Sequence, residues 1–89
     1  LYIGEATGGK IRRLRLSNND VVTLATGFNA ISSIAIDGDF LYFIENTANS
    51  IRKLDLRNNS ATLFASGGNL NQPYGLVIVG DYLYVTVAT

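Results

Sequence analysis

The 89-residue chain contains no cysteine and no histidine. Without cysteine, neither disulfide bonds nor thiolate metal sites can form. Without histidine, only carboxylates, hydroxyls and amines remain for acid–base or nucleophilic chemistry. We therefore expect this segment to be non-enzymatic, with no cofactor and no metal site. That expectation does not extend to any longer parent chain.

The chain also lacks an excess of charge of one sign, and it lacks long apolar runs. Seven basic residues balance seven acidic ones, so no net field attracts the chain to nucleic acid or to an anionic membrane. The longest apolar runs, such as residues 41–44 and 76–79, are far shorter than the roughly 20 residues that span a bilayer. We expect no membrane insertion. The chain begins with neither methionine nor a basic leader, which is typical of an internal piece of a longer protein.

An internal repeat organises the whole sequence. The Leu-Tyr-led segment at residues 1–3 returns at 41–43 and at 83–85, and the Ile-Arg-led segment at 11–16 returns at 51–56. Each repeat holds short apolar runs separated by turn residues. A period of about 40 residues with four strands is the signature of a β-propeller blade. The sequence therefore predicts an all-β fold, with two four-stranded blades plus a partial one in a propeller segment spanning 1–89.

The strands of a blade are labelled a to d from the ring axis outward. Predicted strands are residues 33–36 and 75–79 for a; 1–4, 41–45 and 83–86 for b; 11–16 and 51–56 for c; and 21–25 and 61–65 for d. The segment thus reads b-c-d over 1–25, a complete blade over 33–65, and a-b over 75–87. Strands a and b are continuously apolar, as in sheets covered on both faces. A helical alternative for strand c is disfavoured by its shortness and its Gly, Asn and Ser borders.

Turn residues lie between the predicted strands. Gly38 and Gly80 lie in the a–b hairpins, where glycine supplies the positive φ of tight turns. Asparagine pairs at 18–19 and 58–59 occupy equivalent c–d turns, and asparagine tolerates left-handed backbone. Calcium binding at residues 37–39 is the alternative for the first hairpin. We favour a simple turn, because the alternating oxygen ligands of a calcium loop do not continue.

The segments at 41–45 and 51–56, followed by residues 72–76, resemble the NHL repeat, and the resemblance covers essentially the whole chain. It departs at Glu5 and Glu45, where the family usually has aspartate. YWTD-type and gluconolactonase-like propellers have similar sequence patterns and are the alternatives. The resemblance implies a six-bladed ring used for protein or RNA recognition, with a few lyase members that use metal-bound histidines.

Nine predicted strands cannot close a six-bladed ring. Open blades expose apolar faces and strand edges, which proteins normally cover. We therefore expect a fragment of a longer ring or an oligomeric assembly of copies.

The b–c and d–a loops of a propeller share one face, and amide and aromatic side chains at loop tips are typical of recognition surfaces. An equally supported alternative is that Phe28 and Tyr74 fill gaps between blades. The predicted loop-face binding residues are Phe28, Asn29, Asn46, Asn49, Asn69, Asn71 and Tyr74, with Thr7 beside them.

Two further sets of residues have competing interpretations. Glu5 and Glu45 lie at the ends of equivalent b strands. Their carboxylates could bind a ligand near the mouth of the ring, or they could accept hydrogen bonds from the backbone of the b–c loop. We favour the second, structural role. Basic residues gather on the c strands and suggest RNA phosphate contacts, but we favour solvated outer strands interleaved with acids. These basic residues are Lys10, Arg12, Arg13, Arg15, Arg52, Lys53 and Arg57.

Asn58 begins an Asn-Asn-Ser glycosylation triplet on a predicted turn, which matters only in a secreted protein. Composition leaves the localisation open, and this triplet favours an extracellular or cell-surface location.

The function that we predict is a binding or scaffolding segment of an NHL-like propeller. Its partners would be proteins, further blades of the same or a longer chain, or glycans. The alternatives are a piece of a lactonase- or lyase-type propeller enzyme with catalytic residues elsewhere, and an RNA-binding NHL domain.

Overall fold

A computed structural model describes residues 1–4, 9–45, 48–66 and 73–87. Within these ranges the chain is all-β, as the repeat predicted, and its strands pair antiparallel. The strands are β1 (Tyr2–Gly4), β2 (Ile11–Arg15), β3 (Asp20–Ala25), β4 (Ile31–Asp37), β5 (Phe40–Glu45), β6 (Ser50–Asp55), β7 (Ser60–Ser66), β8 (Pro73–Val79) and β9 (Tyr82–Val87).

These strands form three sheets in chain order. The first sheet has the order β1-β2-β3, the second β4-β5-β6-β7 and the third β8-β9. This division matches the predicted b-c-d, a-b-c-d and a-b groups. The equivalent strands β5 and β9 lie in different sheets.

Both a strands begin earlier than predicted. β4 starts at Ile31 and β8 at Pro73, and in each strand the register shifts before it continues. The irregularity is a β-bulge, which adds a residue to one strand without ending the pairing. The predicted starts at Ser33 and Gly75 lie on the far side of these bulges.

The turn predictions are confirmed by the backbone. Gly38 and Gly80 have a φ of 58° in the a–b hairpins. Asn19 and Asn59 adopt left-handed backbone with φ values of 59° and 58° in the c–d turns. In each c–d turn the preceding asparagine accepts a hydrogen bond at 3.0 Å through Oδ1 from the backbone N–H two residues on. Side-chain and backbone preferences therefore agree on the same turn.

The first and second sheets pack face to face. Their contact is a cluster of side chains that are at most 3% exposed: Ile11, Ile31, Leu41, Phe43 and Leu54. Ile11 comes from β2, and the others come from β4, β5 and β6. A Cβ placed on Gly4 would lie 2.5 Å from Ile31 Cγ2, so β1 approaches β4 closely.

The second and third sheets meet through their a strands. The Ser33 hydroxyl accepts a hydrogen bond from the Leu76 backbone N–H at 3.2 Å. The Ser32 hydroxyl donates to the Tyr74 carbonyl at 3.4 Å. Beside these strands, Tyr42 of the second sheet and Ile78 of the third line a common groove.

Burial follows from this order of sheets. On the central strand β5, Leu41, Phe43 and Ile44 are fully buried, because both faces of the second sheet are covered. On β9, by contrast, Tyr82 and Tyr84 are mostly exposed.

We expect Phe43→Ala to lower the free energy of unfolding by about 3–5 kcal/mol, because it opens a cavity between the first two sheets. Leu63→Ala is the matched control, since Leu63 is 56% exposed on β7, and its cost should stay within about 0.5 kcal/mol. Urea unfolding followed by circular dichroism measures both. Equal losses for the two variants would contradict the assigned core.

Candidate functional site

Glu45 is a buried carboxylate at the end of β5, with 1% of its surface exposed. Its Oε2 accepts hydrogen bonds from the Asn29 backbone N–H at 2.9 Å and from Asn29 Nδ2 at 3.3 Å. Its Oε1 accepts one from the Ser50 hydroxyl at 3.1 Å and forms an ion pair with Arg52 Nε. Both carboxylate oxygens are therefore engaged by protein groups.

The ionisation of Glu45 reflects these contacts. Burial raises the pKa of its carboxyl, but the hydrogen bonds from the Asn29 backbone, Arg52 and Ser50 outweigh that effect. The net result is a pKa below the ordinary value of 4.5. Glu45 is therefore a charged acceptor at neutral pH, held by donors from the loop before β4 and from β6.

Glu45 accepts hydrogen bonds from protein groups, in line with the structural role that we favoured. The described backbone donor is Asn29 in the d–a loop between β3 and β4. The carboxylate thus fixes the entry of the chain into the second sheet. The predicted backbone donors in the b–c loop stay a prediction, because residues 46–47 lie outside the described part of the chain. Its repeat equivalent, Glu5, lies outside the described residues.

Phe28 precedes Asn29 in the same loop and fills space beside the core. Its ring centroid lies 4.7 Å from that of Phe43 at an interplanar angle of 59°. The Arg52 guanidinium carbon lies 5.9 Å from the centre of the Phe28 ring. Phe28 is half-buried against the cluster between the first two sheets. Of the two interpretations, the structure supports gap filling.

The b–c and d–a loops meet at Gly9. The Phe28 N–H donates to the Gly9 carbonyl at 3.2 Å. Gly9 has a φ of +58°, and a Cβ there would lie 1.9 Å from the Phe28 carbonyl oxygen. The end of the first b–c loop therefore packs directly on the d–a loop, which agrees with the expectation that these loops share one side of the molecule.

The remaining predicted loop-face residues are only partly brought together. Tyr74 was predicted in a loop but lies in β8, because the bulge lets that strand start at Pro73; its side chain is exposed. Asn49 is half-buried in a turn with a φ of 51°. Asn29 is exposed as a residue, yet its amide is engaged with Glu45. The predictions at Thr7, Asn46, Asn69 and Asn71 lie outside the described residues.

The predicted basic patch is largely paired on the second c strand. Arg57 Nη2 lies 2.8 Å from Asp55 Oδ2, and Arg57 Nε donates to Oδ1 at 3.0 Å. These bonds from Arg57 lower the pKa of Asp55 to about 2. Lys53 Nζ lies 4.1 Å from the centre of the Phe40 ring. The interpretation of an outer strand interleaved with acids fits these contacts.

Asn58 lies on the exposed turn between β6 and β7. Its Oδ1 accepts the Ser60 N–H at 3.0 Å, so the glycosylation triplet is part of an ordered turn. Glycosylation at Asn58 stays a prediction.

One exposed surface was not recognised from the sequence. On the third sheet, Val77 pairs with Tyr84 and Val79 pairs with Tyr82, so these four side chains share one face. Each is more than half exposed. We call this surface the tail face. The repeat could have indicated this surface, because Tyr84 is equivalent to Tyr42, and Tyr42 faces the next sheet along the chain.

Comparison of the sequence with protein-family models and with curated proteins gives no match. Among the described residues, no cluster of three or more His, Cys, Asp or Glu side chains is placed to hold a metal ion. The same part of the chain contains no helix long and apolar enough to cross a bilayer.

Replacing Glu45 tests the buried carboxylate. Glu45→Gln places an amide NH2 among hydrogen-bond donors, so we expect a loss of about 1–3 kcal/mol in unfolding free energy at neutral pH. The folded-state pKa is lowered, so the charge contributes stability above its unfolded value near 4.5 and less as pH falls below it. The difference between wild type and variant should therefore shrink in acid. Asp81→Asn, on an exposed turn, is the control, and a pH-independent Glu45→Gln deficit would contradict the assignment.

Two glycines with the same φ isolate the loop–loop contact. Gly9→Ala and Gly38→Ala share the backbone strain of a φ of +58°, but only Gly9 has a backbone atom in the way of a Cβ. We expect Gly9→Ala to lower the thermal unfolding midpoint clearly more than Gly38→Ala. Equal shifts would show that the loops do not touch at Gly9.

Proposed function

We propose that this chain is a non-enzymatic, protein-binding segment of an NHL-like β-propeller, and that it binds through the tail face. The observation that carries the proposal is the row of exposed apolar side chains across β8 and β9. Contiguous apolar surface of this kind marks interaction sites in soluble proteins.

The side chains of the tail face suit a protein partner. Val77 and Val79 offer flat aliphatic area, while Tyr82 and Tyr84 add rings 6.3 Å apart. Tyrosine supplies large apolar area together with a hydroxyl that stays hydrogen-bonded at the rim of an interface.

The order of the sheets supports the propeller assignment. Small antiparallel sheets follow one another along the chain, and strands β4 and β8 of neighbouring sheets are linked through Ser33 and Leu76. In a propeller, the first strand of each blade lies nearest the axis, where neighbouring blades come closest. The repeat and this contact together favour blades over a single continuous sheet.

The described contacts favour binding over catalysis and over RNA recognition. Glu45, the buried carboxylate, has both oxygens engaged in structural bonds. Arg52 and Arg57 are paired with acids and Lys53 lies over an aromatic ring.

Site-specific photo-crosslinking tests the proposal. The chain is produced with benzoylphenylalanine in place of Tyr84, or in place of Leu63 as an equally exposed control away from the tail face. We expect illumination of intact cells to give covalent protein adducts from position 84, with few from position 63. Adducts are identified by mass spectrometry. Yields at position 84 no higher than the control, or adducts only with nucleic acid or glycan, would overturn the proposal.

A further inference from the structure

The outer edge of β7 has no charge to protect it against strand pairing. β7 (Ser60–Ser66) is the last strand of the second sheet, and among the described strands only β6 pairs with it. An open edge presents unpaired backbone N–H and C=O groups to any extended chain, and natural proteins blunt it with charged residues, proline or bulges. Residues 60–66 include no charged residue and no proline. A bulge is present, but from Ser60 to Leu63 the pairing with β6 has a regular register.

Neighbouring blades do not cover this edge. In the proposed propeller β7 is strand d, the outermost strand of its blade. Blades pack on each other through their faces, as the first two sheets do through Ile11 and Phe43. The protection of β7 therefore has to come from the strand itself or from a group attached beside it.

The outer strand of the first sheet has a charge where β7 has a hydroxyl. Asp20 begins β3 and Ser60 begins β7, and each pairs with the last residue of the preceding strand. The turns before them match, because Asn18 and Asn58 each accept a hydrogen bond at 3.0 Å from the backbone N–H of these residues. Both strands also have a bulge at equivalent positions. A charged side chain at the start of the strand is what β3 has and β7 lacks.

The residue that stands in place of the charge completes a glycosylation triplet. Asn58-Asn59-Ser60 is the only Asn-X-Ser/Thr triplet in the chain, and all three residues are exposed. The bond of the turn joins Asn58 Oδ1 to the Ser60 backbone N–H, and neither Asn58 Nδ2 nor the Ser60 hydroxyl takes part in it. The equivalent turn makes the same bond with Asp20 in place of the serine. The turn therefore does not require the Ser60 hydroxyl.

We propose that Asn58 carries an N-linked glycan, and that this glycan protects the outer edge of β7 as the charge of Asp20 protects that of β3. In the transfer, Asn58 Nδ2 attacks C1 of the first sugar of an oligosaccharide held on a polyprenyl pyrophosphate. The bond from C1 to the pyrophosphate oxygen breaks and the bond from C1 to nitrogen forms. Nδ2 loses one proton to solvent, and the polyprenyl pyrophosphate leaves. The glycan is bulky and solubilising, and its attachment point lies two residues before the edge begins.

Mass spectrometry of the protein isolated from the cells that make it tests the modification. We expect the peptide that contains Asn58 to carry a glycan that peptide-N-glycosidase removes, leaving a carboxylate at that position. Ser60→Ala should abolish the glycan, and Ser60→Thr should retain it. Asp20→Ser creates a matched triplet at Asn18 in the equivalent turn, so it should add a second glycan.

An unmodified Asn58 in wild type would overturn the inference, and the Asp20→Ser variant would show why. Modification at Asn18 alone would mean that the chain meets the transferase but that the turn at Asn58 is not an acceptor. Modification at neither asparagine would mean that the chain does not meet the transferase.

Light scattering over a range of protein concentrations tests the protective role. We expect Ser60→Ala to aggregate at a lower concentration than glycosylated wild type, because its edge has neither glycan nor charge. Ser60→Asp also lacks the glycan but gives β7 the charge found in β3, so it should stay as soluble as wild type. Circular dichroism checks that each variant is folded.

Solubility of Ser60→Ala equal to that of glycosylated wild type would overturn the protective role. The inference goes beyond the proposed function, because it concerns the outer edge of a sheet rather than the tail face. The tail face is identical in all these proteins, so failure of either test would leave the proposed binding through it untouched.

Discussion

Each small sheet of this chain has apolar faces that are stable only when another sheet covers them, and the remaining features of the molecule depend on that constraint. The buried cluster of Ile11, Leu41, Phe43 and Leu54 satisfies it between the first two sheets. The Ser33–Leu76 hydrogen bond holds the third sheet beside the second. On the third sheet, by contrast, Val77, Val79, Tyr82 and Tyr84 are each more than half exposed.

The loop that leads from the first sheet to the second is fixed by polar as well as apolar contacts. The Phe28 ring packs at a tilt against that of Phe43, and Glu45 accepts hydrogen bonds from Asn29. A buried carboxylate is costly unless donors surround it, so Glu45 is stabilised only when the loop, β5 and β6 are all in place. This dependence ties the relative position of the two sheets to a single charged group. Phe28 and Asn29, which we predicted in a binding surface, both take part in fixing the loop.

Much of the fold was predictable because the repeat is local. The strand order and the left-handed turns at Asn19 and Asn59 follow from short-range sequence preferences that recur in each repeat. The donors of Glu45 were not predictable, because Asn29 lies 16 residues away and reaches it only through the path of the loop. Tyr74 was misplaced because a bulge carries β8 past the predicted boundary. The exposure of Tyr84 depends on which sheets are present, which no periodicity reveals.

Sheet-on-sheet stacking of the repeats is the central claim, and methyl-resolved nuclear Overhauser spectroscopy tests it most directly. With isoleucine and leucine methyls labelled, stacking predicts contacts from Ile11 to Leu41 or Leu54 across the interface between the first two sheets. Amide contacts that pair β5 with β9 in one continuous sheet, together with no contact from Ile11 to either leucine, would contradict it.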